Sequence, residues 1–358
     1  MPVTTGSPRI GHRPFFALGL CALGLTVAVR ASDDAGAKSA VPAERVASQP
    51  FLASYTRPAS TPFPDDNAFT PEREALGRTL FFDPRLSGSG WISCASCHNP
   101  GLSWGDGLPR AIGHGMKTLG RRTPTILNLA WGQAFFWDGR ADTLEAQALG
   151  PIQAAGEMNL DLPTMVARIG GIDSYKALFA KAYPGEPVAP ETVAKAIATF
   201  ERGVVSPEAP FDRWLAGDES AITPAAKRGF VVFNTKAACA KCHSGWRFTD
   251  DSFHDIGVTG DDIGRGALLK EIPSLQHAFK TPTLRDADRR GPYMHDGSVA
   301  TLDAVVDFYD RGGVTARESL SSDLKPLGLS GEEKRQLVAF MRTLTSPGRP
   351  VQVPALPR

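Results

Sequence analysis

Apolar and polar positions along the chain alternate with the 3.6-residue period of short amphipathic helices, interrupted by long stretches without period. Thr70 reads as a helix N-cap, with Pro71 at the first helical position and Glu72-Arg73-Glu74-Ala75-Leu76 following. Further helices are predicted around 143–149, 163–169, 173–183 and 190–203. The run Ser206-Pro207-Glu208-Ala209-Pro210 marks a junction, and a second unit opens with a helix near Thr223–Phe233. Two more helices close that unit. Leu302, Val305, Val306 and Tyr309 share one face of the first, so Tyr309 is predicted to point inward. Ser330 and Glu333 form a capping box for the second, whose Leu337, Phe340, Met341 and Leu344 line one face. Strand-like alternation is nearly absent, so the predicted fold class is mostly α, in two halves.

The stretches without period carry their own information. Pro100 to Arg122 is a loop holding six glycines, and another Gly-rich loop covers about 244–292. Ser32 to about Pro64 is rich in Ala, Ser, Pro and charge, and reads as a flexible leader. Ahead of it, Arg9 and Arg13 precede the uncharged apolar run Phe15 to Val29, and Val29-Arg30-Ala31 offers a cleavage site. Residues 1–31 therefore read as a secretory signal peptide. An uncleaved anchor is the alternative, but 15 apolar residues fall short of the ~20 that span a bilayer. No small residue precedes Cys21, which makes it a poor lipid acceptor. No stable membrane insertion is expected after cleavage. The expected organisation is leader 32–65, an N-terminal domain 66–215, a C-terminal domain 216–346 and a tail 347–358.

Composition narrows the function. A chain of 358 residues suggests two compact domains, and 36 Gly with 29 Pro make it loop-rich without reaching low complexity. The 39 Lys and Arg against 38 Asp and Glu leave no basic footprint, so nucleic acid is not an expected partner. Of five cysteines, Cys21 leaves with the signal peptide. The other four form Cys94-Ala95-Ser96-Cys97-His98 and Cys239-Ala240-Lys241-Cys242-His243, both C-x-x-C-H. In an exported protein this is the pattern of covalent c-type haem attachment. Two thiols one helical turn apart add to the two vinyl groups, and the adjacent His98 or His243 becomes an axial iron ligand. A thioredoxin-like dithiol needs neither the following His nor a second copy. A shared zinc site is disfavoured because each motif has its own His and they lie 145 residues apart. The mature chain should hold two covalent haems, no free thiol and no disulfide.

Residues flanking these motifs resemble the bacterial dihaem cytochrome c peroxidase and MauG family over roughly residues 70–345. The resemblance rests on Leu80-Phe81-Phe82-Asp83-Pro84-Arg85-Leu86-Ser87, Trp137-Asp138-Gly139-Arg140-Ala141-Asp142-Thr143-Leu144, Gly150-Pro151-Ile152-Gln153 with Glu157-Met158, Phe279-Lys280-Thr281-Pro282-Thr283-Leu284-Arg285 and Gly291-Pro292-Tyr293-Met294-His295-Asp296-Gly297-Ser298. It implies two cytochrome c-like domains, each with one haem facing the domain interface. The N-terminal haem is then the peroxide site and the C-terminal haem the electron-transfer site, in a periplasmic enzyme.

The resemblance also implies roles for single residues. Glu157 matches the family's catalytic glutamate, Gln147 its distal-pocket glutamine and Trp137 the tryptophan between the haems. Read alone, Glu157 and Gln147 are equally ordinary helix-surface residues, and Trp137 with Phe135 and Phe136 can be pure packing. His114, 16 residues after His98 and flanked by Gly113 and Gly115, matches the histidine that caps the N-terminal iron in resting peroxidases. An exposed loop histidine is the plainer reading. Tyr309 falls where peroxidases carry a Met iron ligand and MauG a Tyr. A phenolate favours higher oxidation states than a thioether does. A plain core tyrosine is the alternative. His254, His277 and His295 read as structural groups or propionate partners. The family places calcium between its domains using an Asn where this chain has Arg122, so calcium is not expected and a guanidinium takes its place.

The resulting expectation is a dihaem c-type peroxidase reducing hydrogen peroxide. Its electrons come from a small cytochrome c or cupredoxin, or from a protein side chain as in a MauG-like oxidase. A dihaem electron carrier without peroxide chemistry is the third reading.

Overall fold

The computed structural model describes residues 52–348 and 350–358. The expected signal peptide 1–31, Cys21 included, and residues 32–51 of the expected leader lie outside the described residues. Among the described residues the α-helices are α1 Pro71–Phe81, α2 Cys94–Cys97, α3 Leu144–Gln153, α4 Leu162–Gly170, α5 Asp173–Ala182, α6 Pro190–Gly203, α7 Pro210–Leu215, α8 Pro224–Asn234, α9 Leu302–Asp310 and α10 Gly331–Arg342. Two-residue strands, β1 Phe253–His254 and β2 Phe279–Lys280, pair antiparallel with Phe253 opposite Lys280. The mostly helical expectation holds.

Local chemistry explains where these helices begin. Thr70 Oγ1 accepts from the Arg73 N–H at 3.1 Å. At α10 the Ser330 N–H donates to Glu333 Oε2 at 2.7 Å while Glu333 N–H donates to Ser330 Oγ at 3.2 Å, a reciprocal box. Two elements depart from the pattern. α3 runs on through Gly150-Pro151, where the pattern predicts an end near 149, because Leu144, Ala148 and Ile152 bury one face and outweigh the lost N–H. α7 starts at Pro210, the last residue of the predicted junction, where the pattern predicts no helix. Six residues are too few to show a period, and its anchor is a side chain: Asp212 pairs with the fully buried Arg285 at 2.7 and 2.8 Å.

Two apolar cores divide the molecule, one from Leu76 to Val204 and one from Phe211 to Leu344. Each is built on a close helix crossing. A Cβ at Gly77 of α1 would lie 1.8 Å from the Ala196 carbonyl oxygen of α6; at Gly229 of α8 it would lie 1.9 Å from that of Gln336 in α10. Each crossing carries the same aromatic triad. Phe81 stands 5.0 Å from Phe200 and 6.0 Å from Trp104; Phe233 stands 5.1 Å from Phe340 and 6.1 Å from Phe248. The halves are thus an internal repeat.

The chain ends cross between the cores. Tyr55, inside the stretch expected as a flexible leader, is buried in the second core, stacks on Phe248 at 4.9 Å and donates to Asn234 at 2.8 Å. One aromatic among polar residues gives no period, so the sequence hides this anchor. In the expected tail, Val351 packs on the first core, and the Pro357 and Arg358 carbonyls accept from Arg85 and Ser174 at 2.9 Å each. No helix among the described residues is long and apolar enough to cross a membrane.

Candidate functional site

Between the cores lies a cavity of about 740 Å³, a size typical of cofactor sites. Both C-x-x-C-H motifs line it. In each, a carbonyl a few residues on accepts from the motif histidine: Trp104 O at 3.2 Å from His98 Nδ1, and Phe248 O at 2.9 Å from His243 Nδ1. Both carbonyl-bearing residues adopt the left-handed conformation, with φ of 62° and 55°. With Nδ1 engaged, Nε2 is left as the ligating atom, the arrangement usual for metal-binding imidazoles. Burial pushes both imidazoles below their ordinary pKa, toward the neutral form that ligates. All four thiols are unpaired, and burial raises Cys94, Cys97 to about 11 and Cys239 to about 12. Neutral imidazoles, adjacent thiols and a shared cavity fit one covalent haem on each motif.

The repeat extends into the segments that follow. Phe135 bridges Ala141 as Tyr293 bridges Val299. Phe136 and Met294 share φ of 67° and 68°, and Gly139 and Gly297 share 69° and 70°. Thr143 then caps α3 as Thr301 caps α9. Counting from these caps, Trp137 matches His295, Gln147 matches Val305 and Pro151 matches Tyr309. All six line the cavity. The second half therefore presents a phenol where the first presents a proline, which has no atom to give a metal. Burial raises the Tyr309 phenol well above its ordinary range, so it ionises only beside a strong positive charge.

Glu157 also lines the cavity, and burial raises its carboxyl above the ordinary range while Arg140 pulls it back. His114 stands apart. Gly113 lines the cavity but His114 does not; its backbone N–H donates to the carbonyls of Gly156 and Glu157 at 3.0 and 2.8 Å, and its buried Nδ1 has no partner.

Trp137 is fixed where the halves meet: Nε1 donates to the Arg122 carbonyl at 2.9 Å, and its own carbonyl accepts from the Lys280 N–H at 2.8 Å. Arg122 is buried, donates from Nη2 to the Arg290 carbonyl at 2.7 Å, and leaves Nε without a partner. Burial and the Arg122 charge lower Arg290 to about 10. Nearby, Arg121 bridges Asp138 and Asp262 at 2.7 Å each, and Phe279 stacks on His295 at 3.6 Å. His254 donates to Asp250 at 3.0 Å and His277 to the Asp262 carbonyl at 3.0 Å, both in supporting positions.

Sequence reasoning missed the residue-by-residue repeat and Glu201, a buried carboxyl on the cavity wall. Thr-Pro-Thr at both 123–125 and 281–283, and Asp-Gly at both 138–139 and 296–297, were available signals of the repeat.

Comparison with known proteins gives concordant matches. The family description "Di-haem cytochrome c peroxidase" matches residues 71–220. The methylamine utilization protein MauG of Methylorubrum extorquens is 55% identical over 85% of this chain and 87% of its own. The cytochrome-c peroxidase IdrP1 of Denitromonas iodatirespirans is 37% identical over 79% of this chain and 84% of its own. Among solved structures, a MauG-like protein associated with microbial copper homeostasis superposes with a TM-score of 0.75 at 32% identity, covering 82% of this chain and 94% of that one.

Proposed function

The chain belongs to the di-haem cytochrome c peroxidase and MauG family and is an oxidoreductase, and from that premise we propose that it uses hydrogen peroxide to oxidise a side chain of a partner protein. Haems held by Cys94, Cys97 and His98 and by Cys239, Cys242 and His243 would supply iron able to exchange electrons with peroxide. The rest is done by the chain. Reducing one peroxide to two waters takes two protons and two electrons. Glu157 accepts a proton from the nearer peroxide oxygen and delivers one to the departing oxygen; burial raises its pKa, which makes the carboxylate a better proton acceptor than an exposed one. The Gln147 amide orients the peroxide beside it. The two electrons and, in net, the two protons come from the partner's side chain as it is oxidised, with Trp137 spanning the halves as the shared electron carrier. His114 is not assigned a ligand role. Buried Arg122, bonded to the Arg290 carbonyl, takes the place of an interdomain calcium. The N-terminal pattern of the sequence supports export to the periplasm.

The observation that carries this reading is the asymmetry of Pro151 and Tyr309 at equivalent places. The proline offers no side-chain ligand and would leave a haem in the first half accessible to a small oxidant, whereas the phenol could ligate a haem in the second and would favour storage of oxidising equivalents over a ferrous reservoir. The 55% identity to MauG supports the same branch. Stopped-flow mixing of the holoenzyme with peroxide tests it. The expected result is a long-lived oxidised state involving both haems, shortened in Tyr309→Met. Fast turnover with a reduced small cytochrome would favour the peroxidase reading, which the 37% relative represents, and no response to peroxide would leave an electron carrier.

A further inference from the structure

One charged group on the cavity wall is used by neither the peroxide chemistry nor the packing. Glu201 of α6 is 4% exposed, and its Oε2 has no hydrogen-bond partner. It lies close enough to Cys94 of α2 to act on that thiol's charge. Adjacent Arg202 offsets the burial of Glu201 only in part, because its guanidinium is committed to Glu145 of α3 at 2.6 and 2.9 Å and the Glu145 charge opposes it. Arg78 of α1 pairs with Glu74 through Nη2 at 2.7 Å, and its buried Nε has no partner. The repeat shows that packing does not require the carboxyl. Counting from the Ala196 and Gln336 crossings, Phe200 matches Phe340 and Glu201 matches Met341, a buried apolar residue on the same cavity wall. An unpartnered buried carboxylate is costly where a methionine serves, so a role other than stability is indicated.

We propose that Glu201 exchanges a proton with solvent in step with the electron on the N-terminal haem, taking it up as the electron arrives and releasing it as the electron leaves. The balance is simple: one electron from a reduced small cytochrome or cupredoxin and one proton from water enter together, and the cavity's net charge stays constant. Burial lifts the carboxyl to about 8, so both forms are accessible near neutral pH. Coupling of this kind is reciprocal: if added electron density favours the proton, the proton favours the electron by the same factor. The inference rests on the proposed attachment of a haem at Cys94 and Cys97, not on peroxide turnover.

Spectroelectrochemical titration of the holoenzyme from about pH 6 to about pH 9.5 reads the coupling directly. In the wild type the potential of the N-terminal haem should fall as pH rises, since deprotonation leaves a negative charge that opposes the incoming electron. Glu201→Gln keeps the shape without the titration and should flatten that dependence. Glu201→Met, the residue of the second half, should do the same and guards against misfolding of the amide variant. Infrared difference spectra of the wild type should show a protonated carboxyl band growing on reduction. A flat wild-type profile, or an undiminished slope in either variant, overturns the proposal. Glu157→Gln should lose turnover yet keep the slope, which separates this inference from the peroxide assignment.

Discussion

At the scale of single residues, Glu157 and Asp212 show what a carboxylate does when its surroundings differ. Glu157 has burial and one modest cation, and stays available for proton transfer. Asp212 is locked in a two-pronged pair with Arg285 and also meets Arg57 at 3.4 Å. Glu157→Gln should cut peroxide turnover by about 100-fold or more while both haem spectra persist, measured by steady-state assay and absorption. Asp212→Asn should leave the chemistry untouched but cost about 3 kcal/mol in denaturant unfolding, because it strands a fully buried guanidinium. The motif cysteines and histidines were legible in the sequence because their chemistry demands a fixed short spacing. Glu201 was not. Beside Arg202 on a helix, a glutamate looks like any solvated polar pair, and only the fold reveals that its carboxyl turns inward.

At the scale of elements, helix positions were readable wherever a cap and a period coincide, as in α1, α8 and α10. The pattern failed where long-range contacts decide, in α3 beyond Pro151 and in the six-residue α7. Gly77 and Gly229 belong to the same lesson. Each looks like a helix-weakening residue, yet each allows two backbones to touch. Gly77→Ala should therefore destabilise, against the usual preference for alanine in helices, by about 3 kcal/mol, since the new methyl would overlap a carbonyl of α6. Chemical denaturation checks this, with an exposed helix alanine substitution as the control. A stabilised Gly77→Ala variant would contradict the crossing.

At the scale of the whole molecule, the two main apolar cores meet between Val204 and Phe211. Composition could not foretell that the termini change sides. Deleting residues 350–358 removes Val351 and the acceptors for Arg85 and Ser174 from the first core. It should lower stability by about 1–2 kcal/mol, read as a fall in Tm, with the second motif's haem spectrum unchanged.

That exchange of ends works as a buckle. A cut at the junction would not yield two whole lobes: the first would lack the strap that covers it, and the second would miss Tyr55, the ring that plugs its centre. Each lobe is completed only when the other end of the chain has arrived, so neither finishes folding from its own contiguous sequence. The same buckle ties together the two lobes that carry His98 and His243.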